Sequence, residues 1–91
     1  MSNHICIIPT NFVNARSGNV SYGVRVYNDH ECVYDNSWMG IPVNDLDILR
    51  ETIISANNAI SNLLDYLKKQ KQGCEIDETW YDWDEIKSVF I

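Results

Sequence analysis

Ninety-one residues, 45% hydrophobic, 22% charged and 11% aromatic, with four glycines and two prolines, describe one globular domain spanning 1–91. Such a composition excludes a disordered tail, a collagen-like chain and a low-complexity linker. Thirteen acids against seven bases give a net charge of −6, which phosphate backbones repel, so direct binding to nucleic acid is not expected.

No apolar run approaches the roughly eighteen residues of a membrane span, and no basic-then-apolar leader opens the chain. A cytoplasmic protein without membrane contact is therefore expected.

The first forty residues read as strands. His4-Ile5-Cys6-Ile7-Ile8 is a short apolar run that Pro9 is expected to stop, and Ser17-Gly18-Asn19 is a turn signal. Residues 20–28, VSYGVRVYN, alternate, with Tyr22, Val24 and Val26 on one face and Arg25 and Tyr27 on the other. In ECVYDNSW, which follows, Cys32, Tyr34 and Trp38 share a face. A two-residue loop at Asp29-His30 would pair Val26 with Val33 and set Asp35 against Val24. A loop of odd length, Asp29 to Glu31, pairs Val26 with Tyr34 and Tyr22 with Trp38 instead. One step of register exchanges the faces of a strand, so the apolar pattern favours the odd loop.

Residues 44–72 predict a helix. Asn44 is the expected N-cap, with Asp45 and Asp47 at the positive end of the helix dipole. Leu46, Leu49, Ile53, Ala56, Ile60, Leu63 and Leu67 recur at alternating spacings of three and four. Gly73 is the expected C-terminal stop. The seam keeps phase through Asn57-Asn58, which favours one long helix, continuous or gently kinked, over two. At ~1.5 Å per residue such a helix is about 40 Å long, against about 26 Å for an eight-residue strand. Part of the seam should then overhang the sheet, which makes Ile53, Ala56 and Ile60 a candidate homodimer interface.

Charge is concentrated in CEIDETWYDWDEIKSVFI, residues 74–91, where Lys87 faces Glu75, Asp77, Glu78, Asp82, Asp84 and Glu85. Cys74, Ile76 and Trp80 are expected to form the inner face of a strand, with Glu75, Asp77, Thr79 and Tyr81 opposite. Asp82 and Glu85 fit a capping box, and Tyr81 with Ile86 fits its hydrophobic staple. Trp83, Ile86 and Phe90 would then line a short terminal helix. The fold these elements predict is α+β: a small antiparallel sheet on one long helix, then a strand and a short helix.

Cysteines 6, 32 and 74 are odd in number and widely spaced, which suits reduced core thiols rather than disulfides. His4/Cys6 and His30/Cys32 are each spaced i, i+2, so each pair could share a strand face. Zinc sites announce themselves with closer ligand pairs, so neither a metal nor any other cofactor is expected. No nucleophile elbow, phosphate loop or metalloprotease motif is present, and a non-enzymatic protein is expected.

Acids beside aromatic side chains suit docking on a basic partner. Glu75, Asp77, Glu78, Tyr81 and Asp84 are the candidate contact residues. Basic surfaces commonly belong to nucleic-acid-handling proteins such as nucleases, so an inhibitor that mimics nucleic acid is the leading expectation. Twenty-one Ile and Asn against nine Ala, Gly and Pro suit an AT-rich genome, as in phages and mobile elements, where anti-defence inhibitors are common. Two alternatives stand beside it: a dimeric sponge or sensor for a nucleotide-like ligand, using Arg16, Arg25 or Arg50, and a purely structural assembly subunit.

Overall fold

The computed structural model describes residues 4–37 and 39–90, the side chains of Asn57 and Phe90 excepted. In chain order the elements are β1 (Ile5–Val13), β2 (Val20–Asn28), β3 (Glu31–Asp35), β4 (Ile41–Pro42), α1 (Leu46–Gln70), β5 (Cys74–Ile76), β6 (Thr79–Tyr81) and α2 (Trp83–Phe90). The class is mixed α+β. Strands run in the order β3-β2-β1-β5-β6, with β4 also on β1, and β5 lies parallel to β1. The sheet is thus mixed rather than antiparallel, because α1 carries the chain back across the sheet before β5 begins.

Pro9 does not stop β1. The Ile7 and Pro9 carbonyls point away from β2, accepting from Asp77 N and Val43 N at 3.1 and 2.8 Å. The missing Pro9 N–H therefore falls between the β5 pairing, which covers Cys6 and Ile7, and the β4 pairing at Thr10 and Asn11. No ladder bond is lost there. The Ser17-Gly18-Asn19 signal is a turn as expected, with Gly18 at φ 73° and its N–H on the Asn14 carbonyl at 2.8 Å.

Both hairpin registers occur in the β2–β3 pair. Asn28 faces Glu31 and Tyr27 faces Cys32, which is the two-residue loop, while Val26 faces Tyr34 and Arg25 faces Asp35, which is the odd register. A β-bulge between these pairs absorbs Val33 and reconciles them. Tyr34 therefore turns toward the core beside Val26, and Cys32 turns to the opposite face beside Tyr27. The expected pairing of Tyr22 with Trp38 lies outside the described residues.

The core lies on one face of the sheet. Ile5, Ile7, Val24, Val26, Cys74 and Ile76 meet Leu49, Ile53, Ala56, Ile60, Leu64 and Leu67 of α1, and Ile86 and Val89 of α2. Trp83 and Tyr81 pack against this cluster, while the Phe90 side chain lies outside the described residues. Ile60, at φ −119° and ψ 16°, is non-helical and divides α1 into two shorter helices. The break falls two residues after Asn58, so the long uninterrupted helix is not formed. α1 packs on β1 and β2 of the chain's own sheet and on α2. Ile53, Ala56 and Ile60 are 5%, 3% and 3% exposed in the single chain. These side chains are covered within the chain itself rather than left exposed on an overhang.

Two caps differ from expectation. Asp45, not Asn44, caps α1, its carboxylate accepting from Asp47 N at 2.8 Å and Ile48 N at 3.4 Å. At the other end Lys71 adopts the left-handed conformation (φ 50°, ψ 44°) and closes the last turn, with Gln72 N on the Leu67 carbonyl. Gly73 is buried instead against β6, where a Cβ would run into the Tyr81 carbonyl oxygen.

Candidate functional site

The acidic segment is not one strand. Asp77 and Glu78 form a two-residue hairpin loop with φ 44° and 69°, and Ile76 pairs with Thr79 across it. Both central residues thus have positive φ, the pattern of a type I′ turn, which ordinarily selects Asn-Gly. Folding back at this point reverses the expected alternation. Cys74 pairs with Tyr81 and Ile76 with Thr79, while Glu75 pairs with Trp80. Trp80 therefore points outward and is 50% exposed, whereas Tyr81 faces inward against the core.

The five expected contact residues separate accordingly. Tyr81 is half-buried, and its hydroxyl donates to Asn44 Oδ1 at 2.8 Å. Glu75 lies on the outer sheet face. Asp77 and Glu78 stand at the hairpin tip, and neither carboxylate has a hydrogen-bond or ion-pair partner among the described residues. Asp84 is exposed on α2 and lies 3.6 Å from Lys87. Half of the capping box forms: Glu85 Oε1 accepts from Asp82 N at 3.1 Å, but the Asp82 carboxylate turns to Trp80 Nε1 at 3.1 Å.

Asn44 adds residues that sequence reasoning assigned only to the helix start. Its amide donates to Thr79 Oγ1 at 2.6 Å, next to Glu78 in the chain. The start of α1 is thereby tied to the β6 end of the Asp77-Glu78 hairpin. No signal within residues 44–47 alone announces that neighbourhood.

The outer face carries a second group. One residue from each of five strands stands in a single transverse row: Cys32, Tyr27, Cys6, Glu75 and Trp80, linked by successive pairings. Glu75 is the hub. Its Oε1 lies 3.3 Å from His4 Nε2, and its Oε2 accepts from Cys6 Sγ at 3.3 Å. The His4 ring in turn lies 5.7 Å from the Trp80 ring, tilted by 32°. A depression of about 260 Å³ opens beside this row, lined by His4, Cys6, Tyr27, Asp29, His30 and Glu75.

Burial, then the Glu75 hydrogen bond and charge, push the Cys6 thiol up to about 12. Burial does the same to Cys74, also to about 12. Both stay protonated at neutral pH, so neither is an activated nucleophile. Cys74 is the only cysteine in the core among the described residues; Cys6 is half-buried on the outer face and Cys32 is exposed. The chain alternation that separates Cys74 from the others also prevents the five His and Cys side chains from converging. Among the described residues no three His, Cys, Asp or Glu are placed to hold a metal ion.

The arginines proposed for a ligand pocket are dispersed. Arg16 lies exposed in the β1–β2 loop, and Arg25 is on the outer face with its Nε 3.1 Å from Asp35 Oδ2. Arg50 lies on α1 beside Asp47 and Glu51. No helix among the described residues is long and apolar enough to cross a membrane. Comparison with protein-family models finds no match, and comparisons with curated proteins and with solved structures find none either.

Proposed function

We propose that this chain is a small, non-enzymatic binding protein that occupies a basic surface on a nucleic-acid-handling protein, with inhibition of a nuclease as the natural case. The supporting observation is the hairpin tip. Asp77 and Glu78 occupy a turn that favours Asn-Gly, and neither carboxylate has a partner among the described residues. Strain of about 1 kcal/mol or more at such a position persists where the surrounding structure enforces it, and such strain clusters at functional sites. Asp84 of α2 adds a further exposed acid to the C-terminal segment. A field of one sign with an exposed aromatic nearby steers and then anchors a complementary partner. Three free thiols suit work in the reducing cytoplasm.

The test is capture from a bacterial lysate at low and high salt, comparing wild type with the Asp77→Lys, Glu78→Lys, Asp84→Lys variant. The variant keeps its thermal midpoint, because exposed charges contribute little to stability. It loses a salt-sensitive nucleic-acid-handling protein that wild type retains. Equal capture by both proteins across the salt series overturns the reading.

A further inference from the structure

Among the described residues no helix covers the outer sheet face, since α1 and α2 both pack on the opposite side, where the core lies. We infer that the depression between Tyr27 and the His4–Glu75–Trp80 group receives one arginine side chain of a basic protein partner. This rests on the proposed docking to a basic surface and names the place where an anchor enters.

Size argues first. A volume of about 260 Å³ lies just below the ~300–1,000 Å³ of pockets that take whole small molecules, and it suits a single inserted side chain.

Charge argues next. Two carboxylates, Asp29 and Glu75, line the depression and no lysine or arginine does. Cys6 stays an uncharged thiol. Asp29 Oδ1 accepts from His4 N at 3.0 Å, while Glu75 Oε1 lies 3.3 Å from His4 Nε2 and Oε2 accepts from Cys6 Sγ at 3.3 Å. An ionised carboxylate offers about four acceptor positions, so Glu75 retains capacity for a forked donor while its rotamer is fixed from both sides. A carboxylate pre-set in this way matches the planar guanidinium better than the point charge of an ammonium.

The rings argue for the same guest. Tyr27 walls one side of the depression. Trp80 stands beyond Glu75, half-exposed and held by the His4 contact and by its Nε1 bond to Asp82. Guanidinium groups stack on aromatic faces, and Tyr27 lines the depression itself. On the far side of the row Arg25 is already occupied by Asp35, so the chain supplies no arginine of its own to the depression.

The probes are a hexa-arginine and a hexa-lysine peptide, titrated into ¹⁵N-labelled protein. The Trp80 indole signal is assigned with Trp80→Phe. The expected result is movement of the Trp80 indole N–H and of the Cys6, Tyr27 and Glu75 amides. The arginine peptide should bind about tenfold more tightly than the lysine peptide at the same salt. Glu75→Gln, which preserves the Cys6 contact, should erase that preference, while Glu78→Lys should weaken both peptides equally. Arginine-peptide shifts confined to the 77–78 tip and α2 overturn the slot but leave the acidic docking surface standing. Absence of binding by either peptide overturns the slot and removes support from the docking proposal as well. Equal affinity for both peptides with an unmoved Trp80 signal also overturns it.

Discussion

The Tyr81 hydroxyl donates to Asn44 Oδ1 at 2.8 Å across 37 residues of chain, and Asn44 passes a second bond to Thr79 Oγ1 at 2.6 Å. The start of α1 is thereby tied to β6. Tyr81→Phe should cost about 1 kcal/mol, the usual net worth of one such bond, and Asn44→Ala about 2 kcal/mol for both. A double-mutant cycle read by urea unfolding should give a coupling energy above ~0.5 kcal/mol. Strict additivity of the two changes would show that the bond contributes nothing.

Replacing Asp77-Glu78 by Asn-Gly should stabilise the protein. Gly reaches the φ of 69° at position 78 without the steric cost a glutamate bears. A gain of about 1 kcal/mol corresponds to a rise of roughly 4–8 °C in the melting temperature for a domain of this size. The same variant should bind its partner less well. A lower melting temperature would mean that the turn is not strained.

The three thiols should differ sharply in alkylation by iodoacetamide at mildly alkaline pH. Cys32, exposed, should react, whereas Cys6 and Cys74, both pushed up to about 12, should stay protected in the folded protein. Stability follows with a definite sign. Unfolded thiols ionise near 9.0, while the folded ones hold their protons. Their contribution is therefore complete below pH ~9 and is lost as pH climbs toward about 12. Urea midpoints should fall over that window, and the fall should be shallower in the Cys6→Ala, Cys74→Ala variant.

Ile53 is a core residue of the single chain, 5% exposed. Ile53→Ala should cost ~2–4 kcal/mol through lost burial and the cavity it leaves. Because that burial is intramolecular, the unfolding midpoint of wild type and variant should not depend on protein concentration. A midpoint that rises with concentration would place the seam at a subunit contact.

What was legible in the residues follows their range. The alternation of Val24 and Val26, the turn at Ser17-Gly18-Asn19 and the apolar seam from Leu46 to Leu67 are local patterns, and the elements stand where those patterns put them. The seam's phase could not reveal the break at Ile60, because a phased stripe survives a kink that keeps both halves on one sheet. Likewise the two readings of the β2–β3 register each satisfied part of the pattern, and the bulge at Val33 lets both hold. Asn44 looked like a cap because capping is local. Its actual partners, Thr79 and Tyr81, come from the far end of the chain. The outer row was hidden for a related reason. Trp80 moves out beside Glu75 only once Asp77-Glu78 is a turn; Asp is a turn residue, but Glu in the second position hides the signal.

The bulge at Val33 has a further consequence for how copies of this chain meet in a crowded solution. β3 ends the sheet on one side, and its outward N–H and C=O groups would offer a template to any extended segment. One extra residue in five spoils the spacing such a template needs. Glu31 and Asp35 place like charges at both ends of the strand, where a second β3 would bring its own. The edge of the sheet at β3 is in this way kept from pairing strand to strand with a second copy of itself.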